Sequence, residues 1–350
     1  MEEIQNSIRP PRAGWADALR VLAMLSVVML HCAVLPVGTE TPGDTRFWVI
    51  NLLDGGVRWG VPVFVMLSGA FLLDPKKEMN TRQWLSHVGR VALLTVFWGG
   101  VYALYAARGA HLGLEWLLEG LISLVTGRLY YHLWFLPMLL GLYILLPILR
   151  AFVKGADRKT LWYAALLWAV AVPGLDVLFS IWPNIAGHGW FTALDLRHLY
   201  GYGGYFLFGY LLRTCEIRPK RAYCLYAAGV LGLVVTWWTT YTASLKLGRF
   251  SGMLYANLTP NVCATALAIF LAFRHLDIGK RPFWAKLSAL SLGVFVLHPL
   301  FIDLTVRLDF PPEAWNLALS IPLRCLLVTA LSLAAAWLLR KLPKAGKLIA

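Results

Sequence analysis

Two ionisable residues, Arg20 and His31, lie within residues 19–37, the first stretch of this 350-residue chain apolar enough to cross a bilayer. An ionisable group in hydrocarbon costs roughly 2.5 kcal/mol or more, so such a residue marks a functional site by default and asks for a partner. Eleven helical steps of about 100° come within about 20° of three full turns, which sets both side chains on one face, about 16 Å apart along the axis. Asp17 stands three residues before Arg20, at ion-pair spacing on that face. The pair also admits a plainer reading, an interfacial ion pair that reaches back to the headgroups. A single intramembrane His can be no more than a helix–helix hydrogen bond. Imidazole is nevertheless the natural general base at neutral pH.

Further candidates follow along the chain. Residues 59–73 carry Pro62 and the pair Ser68-Gly69, which suit a kinked, closely packed helix; Ser68 reads first as a packing residue and second as a cavity wall. Tyr130-Tyr131-His132-Leu133-Trp134 heads the fourth apolar run. Aromatics belong at a membrane interface in any case, while a His and a Trp facing an outer cavity would also bind sugar. His298, followed by Pro299 and by Asp303, lies near the middle of the ninth run. Asp195, Arg197 and His198 precede the sixth run and Arg249 the eighth, whereas Arg90 opens the third from the opposite side, where a phosphate could reach it.

The elements that must hold these residues are helices in lipid. The chain is 59% hydrophobic and 14% charged, with a mean hydropathy of +0.64, well away from the composition of soluble domains. Apolar runs of spanning length predict an all-α polytopic membrane protein of about ten helices, at about 15–37, 55–74, 86–107, 132–153, 160–180, 199–214, 221–242, 253–274, 287–307 and 316–340. Residues 114–125 are shorter, carry Glu115 and Glu119, and read as an interfacial helix. The basic residues set the orientation: most of the 32 Lys and Arg, among them Lys76, Lys77, Arg82, Lys154, Arg218 and Lys341, fall on one side if both termini are cytoplasmic. This flanking pattern also accounts for the net charge of +14 without a nucleic-acid partner, which would need basic residues grouped on one soluble face. The five cysteines show no metal or redox spacing, and no metal site is expected. No cleavable signal peptide, domain-sized linker or internal repeat is evident, so residues 1–350 read as a single membrane domain.

Asp17-Ala-Leu-Arg20, ten further residues and His31, followed by Val61-Pro-Val-Phe-Val-Met-Leu-Ser-Gly69, resemble the signature of the membrane-bound acyltransferase-3 family. Tyr131-His-Leu-Trp-Phe-Leu, Gly141-Leu-Tyr143 with Pro147, and Ser291-Leu-Gly-Val-Phe-Val-Leu-His298 resemble its branch that O-acetylates surface polysaccharides such as enterobacterial common antigen. The resemblance covers essentially the whole chain. It implies a ten-helix enzyme of a bacterial inner membrane that takes acetyl from cytoplasmic acetyl-CoA and places it on a glycan hydroxyl, free or lipid-linked, at the outer face. Arg20 and His31 occupy the family's essential Arg and His positions, with Asp17 orienting Arg20. Arg90 and, more weakly, Arg82 match basic residues that would meet CoA phosphates, although Thr81-Arg-Gln-Trp-Leu-Ser-His87 is poorer in Arg than many members are there. His31 would act as general base, and Ser68, His132, Trp134 and His298 would line the acceptor cavity. An O-succinyltransferase of the same family is a variant of this reading. A glycan transporter without acyl transfer is the rival from another class, because ten spans and a polar line across the membrane would serve it equally.

Overall fold

The computed structural model describes residues 13–37, 40–106, 113–126, 130–182, 201–279, 281–311, 315–343 and 346, and among them every regular element is a helix. In chain order these are α1 (Gly14–Val37), α2 (Thr45–Gly55), α3 (Gly60–Leu72), α4 (Thr81–Ala106), α5 (Leu114–Thr126), α6 (Phe135–Ile144) and α7 (Leu146–Gly155). They continue with α8 (Arg158–Ile181), α9 (Gly203–Thr214), α10 (Pro219–Leu247), a 3-10 turn (Met253–Tyr255), α11 (Pro260–His275), α12 (Pro282–Arg307) and α13 (Leu317–Leu339). The chain is an all-α polytopic membrane protein.

Seven helical segments among the described residues are long and apolar enough to span, and α6 with α7 makes an eighth if the pair, bent by 51°, is one span. The expected fifth and sixth spans coincide with α8 and α9, which stand outside that set; α9 has 12 described residues. The second span runs from Thr45 to Leu72, earlier than its expected start near residue 55. Asp54 and Arg58 look like a boundary in the sequence, but they neutralise each other at the break between α2 and α3, where Arg58 donates to the fully buried Asp54 carboxylate. The third span also begins early, at Thr81. Asn80 and Gln83 cap it reciprocally, each side-chain oxygen accepting from the other's backbone N–H at 2.9 and 3.0 Å. Arg90 is thereby placed inside α4 rather than at its head.

Close approach of two backbones fixes the centre of the bundle. A Cβ on Gly69 of α3 would lie 1.9 Å from the Phe206 carbonyl oxygen, and one on Gly209 of α9 would lie 1.9 Å from that of Met66. Small residues at such crossings replace the hydrophobic drive that lipid cannot supply. Helix α1 packs against α12, α13, α2 and α3. Four cysteines are buried and Cys224 is exposed, all of them as free thiols.

Candidate active site

Helix α1 carries Asp17, Arg20 and His31 on the side that faces α12. Arg20 Nη1 donates to Ser288 Oγ at 3.0 Å and lies 3.6 Å from Asp17 Oδ1. Eleven residues further along α1, the His31 ring stacks on His298 with centroids 5.2 Å apart. Arg20 meets Ser288 and His31 meets His298, so the two helices run parallel and nearly in register. On α12 the residues Ser288, Ser291, Phe295 and His298 recur at steps of three, four and three, which is one face of a helix.

Between the two ends of this helix pair lies a cavity of about 320 Å³, lined by Arg20, Ser68, His87, Arg90, Tyr143, Ser288, Ser291 and an apolar wall that includes Phe64, Leu94, Leu136, Leu139 and Phe295. Two guanidinium groups and an apolar neck thus share one space. Phe295 belongs both to this wall and to the surroundings of a group of three histidines: its ring lies 5.4 Å from His132 and 6.2 Å from His298. His132 in turn meets His298 edge-on at 5.4 Å.

The histidines differ in their hydrogen bonding. His298 Nδ1–H donates to the Phe295 carbonyl oxygen at 2.7 Å and lies 3.2 Å from that of Val294, which leaves Nε2 as the lone-pair nitrogen. That Nε2 and both ring nitrogens of His132 are buried without a partner among the described residues. A buried polar atom left so costs about 1–3 kcal/mol. Among the described residues no group of three or more His, Cys, Asp or Glu is arranged to hold a metal ion.

The expected site residues divide into two groups. On α1 and α12 the structure sets Asp17 beside Arg20 and His31 beside His298, His132 meets His298 from the turn before α6, and Arg20, Ser68 and Arg90 line one cavity. Ser68 both packs and lines, its Oγ donating to the Phe64 carbonyl at 3.0 Å. Arg82, in the first turn of α4, is exposed and lies outside the cavity wall. Trp134 turns to Tyr202, with ring centroids 5.8 Å apart, rather than to the histidines. Asp303 bonds to Tyr105 and Arg307, not to His298. Asp195, Arg197 and His198 lie outside the described residues.

Three participants were given no role from sequence. Ser288 was missed although its spacing to Ser291 and His298 marks a polar stripe on a spanning helix. Tyr143 lines the cavity within electrostatic reach of Arg20 and Arg90. Tyr131 touches His31 edge-on at 5.0 Å.

Residues 14–341 match the acyltransferase-3 family, whose shared unit is an acyltransferase domain. The serine/alanine racemase of Enterococcus gallinarum is similar at 26% identity over 302 residues, which cover 82% of this chain and 40% of the racemase. The chain thus spans less than half of that relative's length. No solved structure matches it.

Proposed function

The chain belongs to the acyltransferase-3 family, and from that membership we propose an integral membrane O-acyltransferase. In this reading it moves acetyl from cytoplasmic acetyl-CoA to a hydroxyl of a surface polysaccharide or its lipid-linked precursor, at the outer side of a bacterial inner membrane. One observation carries the reading: the paired helices α1 and α12 hold a guanidinium at one end of a cavity and an imidazole beyond its other end.

CoA supplies phosphates, a narrow pantetheine arm and a thioester. Arg90 and Arg20 suit the anionic part, and the apolar walls between Leu94 and Phe295 suit the arm. The extended arm, about 16–20 Å long, matches the axial distance of about 16 Å from Arg20 to His31. His31 takes the proton of the acceptor hydroxyl, whose oxygen forms the new bond to the acetyl carbon. The carbon–sulfur bond then breaks and CoA leaves as the thiolate. Asp17 and Ser288 hold Arg20, while His132 and His298 flank the base.

Transfer of label from acetyl-radiolabelled CoA into the glycan and lipid-linked glycan of membranes tests this. Wild type is expected to incorporate label and His31→Ala to incorporate none at equal folded protein. Equal incorporation by both removes His31 from the chemistry, and none by either, with native acceptor present, favours another donor or a transporter.

A further inference from the structure

Two register points tie the second span to α1. Ile50 shares one apolar cluster with Val28 and Cys32, and ten residues later an added Cβ on Gly60 would lie 1.9 Å from Ser26 Oγ and 3.1 Å from the Ala23 carbonyl oxygen. The stretch from Ile50 to Gly60 therefore runs back along α1 from Cys32 toward Ala23, past His31. Arg58 lies in that stretch, at the break between α2 and α3. Its side chain reaches back to Asp54, one turn earlier, which is the direction of His31. His31 has Arg58 and His298 as electrostatic neighbours. Arg20, by contrast, stands about 16 Å away along α1.

The Arg58 guanidinium is held in place and keeps donor capacity. Nη2 donates to the fully buried Asp54 carboxylate, and Cζ lies 4.1 Å from the centroid of the Tyr255 ring, whose hydroxyl is itself tied to Asn51. The side chain is 16% exposed. A guanidinium has five N–H donors. The bond to Asp54 uses one, Nε is buried, and Arg58 makes no other hydrogen bond among the described residues, so donors remain on the terminal nitrogens. A largely buried donor fixed in advance is what a developing oxyanion requires, because nothing has to reorganise when the charge appears. Asp54 already balances the resting charge, which suits the group to a transient anion better than to a permanently charged ligand.

We propose that Arg58 is the oxyanion donor of the acyl transfer, a terminal N–H meeting the acetyl carbonyl oxygen while His31 takes the hydroxyl proton. The assignment rests on the function proposed above. As the acceptor oxygen bonds to the carbonyl carbon, its proton passes to His31 and the carbonyl π pair moves onto oxygen. Arg58 holds that oxyanion, and Asp54 and Tyr255 fix the guanidinium. Return of the pair re-forms the carbonyl, breaks the carbon–sulfur bond and expels CoA as the thiolate.

Loss of Arg58 alone would strand Asp54 in the core, so the deciding variant is Asp54→Asn/Arg58→Gln, which replaces the ion pair by two neutral amides. Label transfer from acetyl-radiolabelled CoA is followed in membranes that hold native acceptor, at equal folded protein as judged by circular dichroism of the purified variants. The double variant is expected to lose about 100–1,000-fold in apparent kcat, with the KM for acetyl-CoA within about twofold of wild type. Arg58→Lys, which keeps a charge beside Asp54 but not the planar fork, is expected to lose at least about tenfold. A loss of less than about tenfold in the double variant, or in Arg58→Lys where the double variant does not fold, overturns the assignment and leaves the acyltransferase standing. A raised KM with kcat intact does the same. No transfer by wild type overturns the acyl-transfer reading itself, and the assignment falls with it.

Discussion

His31 of the first helix and His298 of the twelfth stack with ring planes 25° apart, although they come from opposite ends of the chain. Replacing His298 by Phe keeps a ring of similar size but removes both nitrogens. The expected result is a fall in kcat of about 10–100-fold with the KM for acetyl-CoA changed by less than about twofold, because in the proposed reaction Arg20 and Arg90 grip the donor. Initial rates of label transfer against acetyl-CoA concentration check this. A large rise in KM with kcat intact would place His298 on the donor path instead.

Arg90 lines the cavity and Arg82 does not. Arg90→Ala is therefore expected to raise the KM for acetyl-CoA about tenfold, the scale of one lost charge-assisted contact, whereas Arg82→Ala stays within about twofold of wild type. The same kinetic series decides between them. Equal effects of both substitutions would move the phosphate contacts out of the cavity.

Gly69 and Gly209 each sit where an added methyl would strike the opposite backbone. Helices cannot yield there as a flexible side chain would. Gly69→Ala and Gly209→Ala are each expected to cost about 2–4 kcal/mol, seen as a lower thermal midpoint of the purified protein in detergent. Gly89, whose added Cβ meets nothing within 4 Å, supplies the control, since Gly89→Ala leaves the midpoint unchanged or raises it.

Asp74, just past the end of α3, ties that helix to α9 through Arg213 Nη2 at 2.5 Å. Burial alone would raise its carboxyl, but the Arg213 hydrogen bond, the Lys76 backbone N–H at 3.1 Å and the charges of Arg213 and Lys77 outweigh it and hold the carboxyl below the usual 3.8. A folded-state value below the unfolded one gives stability that is present above the unfolded value and lost as pH falls through the folded one. Wild type is expected to lose thermal stability as pH drops below about 4, and Asp74→Asn, less stable by about 1–3 kcal/mol near neutrality, to show less of that loss. Melting curves between about pH 3 and 7 measure both. An unchanged midpoint in the Asn variant would show that the Arg213 pair contributes nothing.

The face shared by Arg20 and His31 was legible because helical periodicity converts sequence spacing directly into direction. On the partner helix only His298 was read as a candidate, because Ser288 and Ser291, though at helical spacing to it, look like ordinary packing residues until Arg20 is found against one of them. The place of Trp134, away from the histidines, was hidden for the opposite reason. It immediately precedes α6, and local chain direction there, which spacing does not encode, turns Tyr131 toward His31 and Trp134 toward Tyr202. The early start of the second span was hidden by Asp54 and Arg58, whose charges mark a boundary when read singly and vanish as an obstacle when paired.

Arg20 and His31 belong to one unbroken helix, Gly14–Val37. Their separation is set by the rise of the helix backbone rather than by the packing of mobile parts, so it acts as a ruler. A thioester carried on an arm much shorter than pantetheine could satisfy the guanidinium or reach the imidazole, but not both. Donor choice in such a machine would be a matter of length before it is a matter of chemical identity.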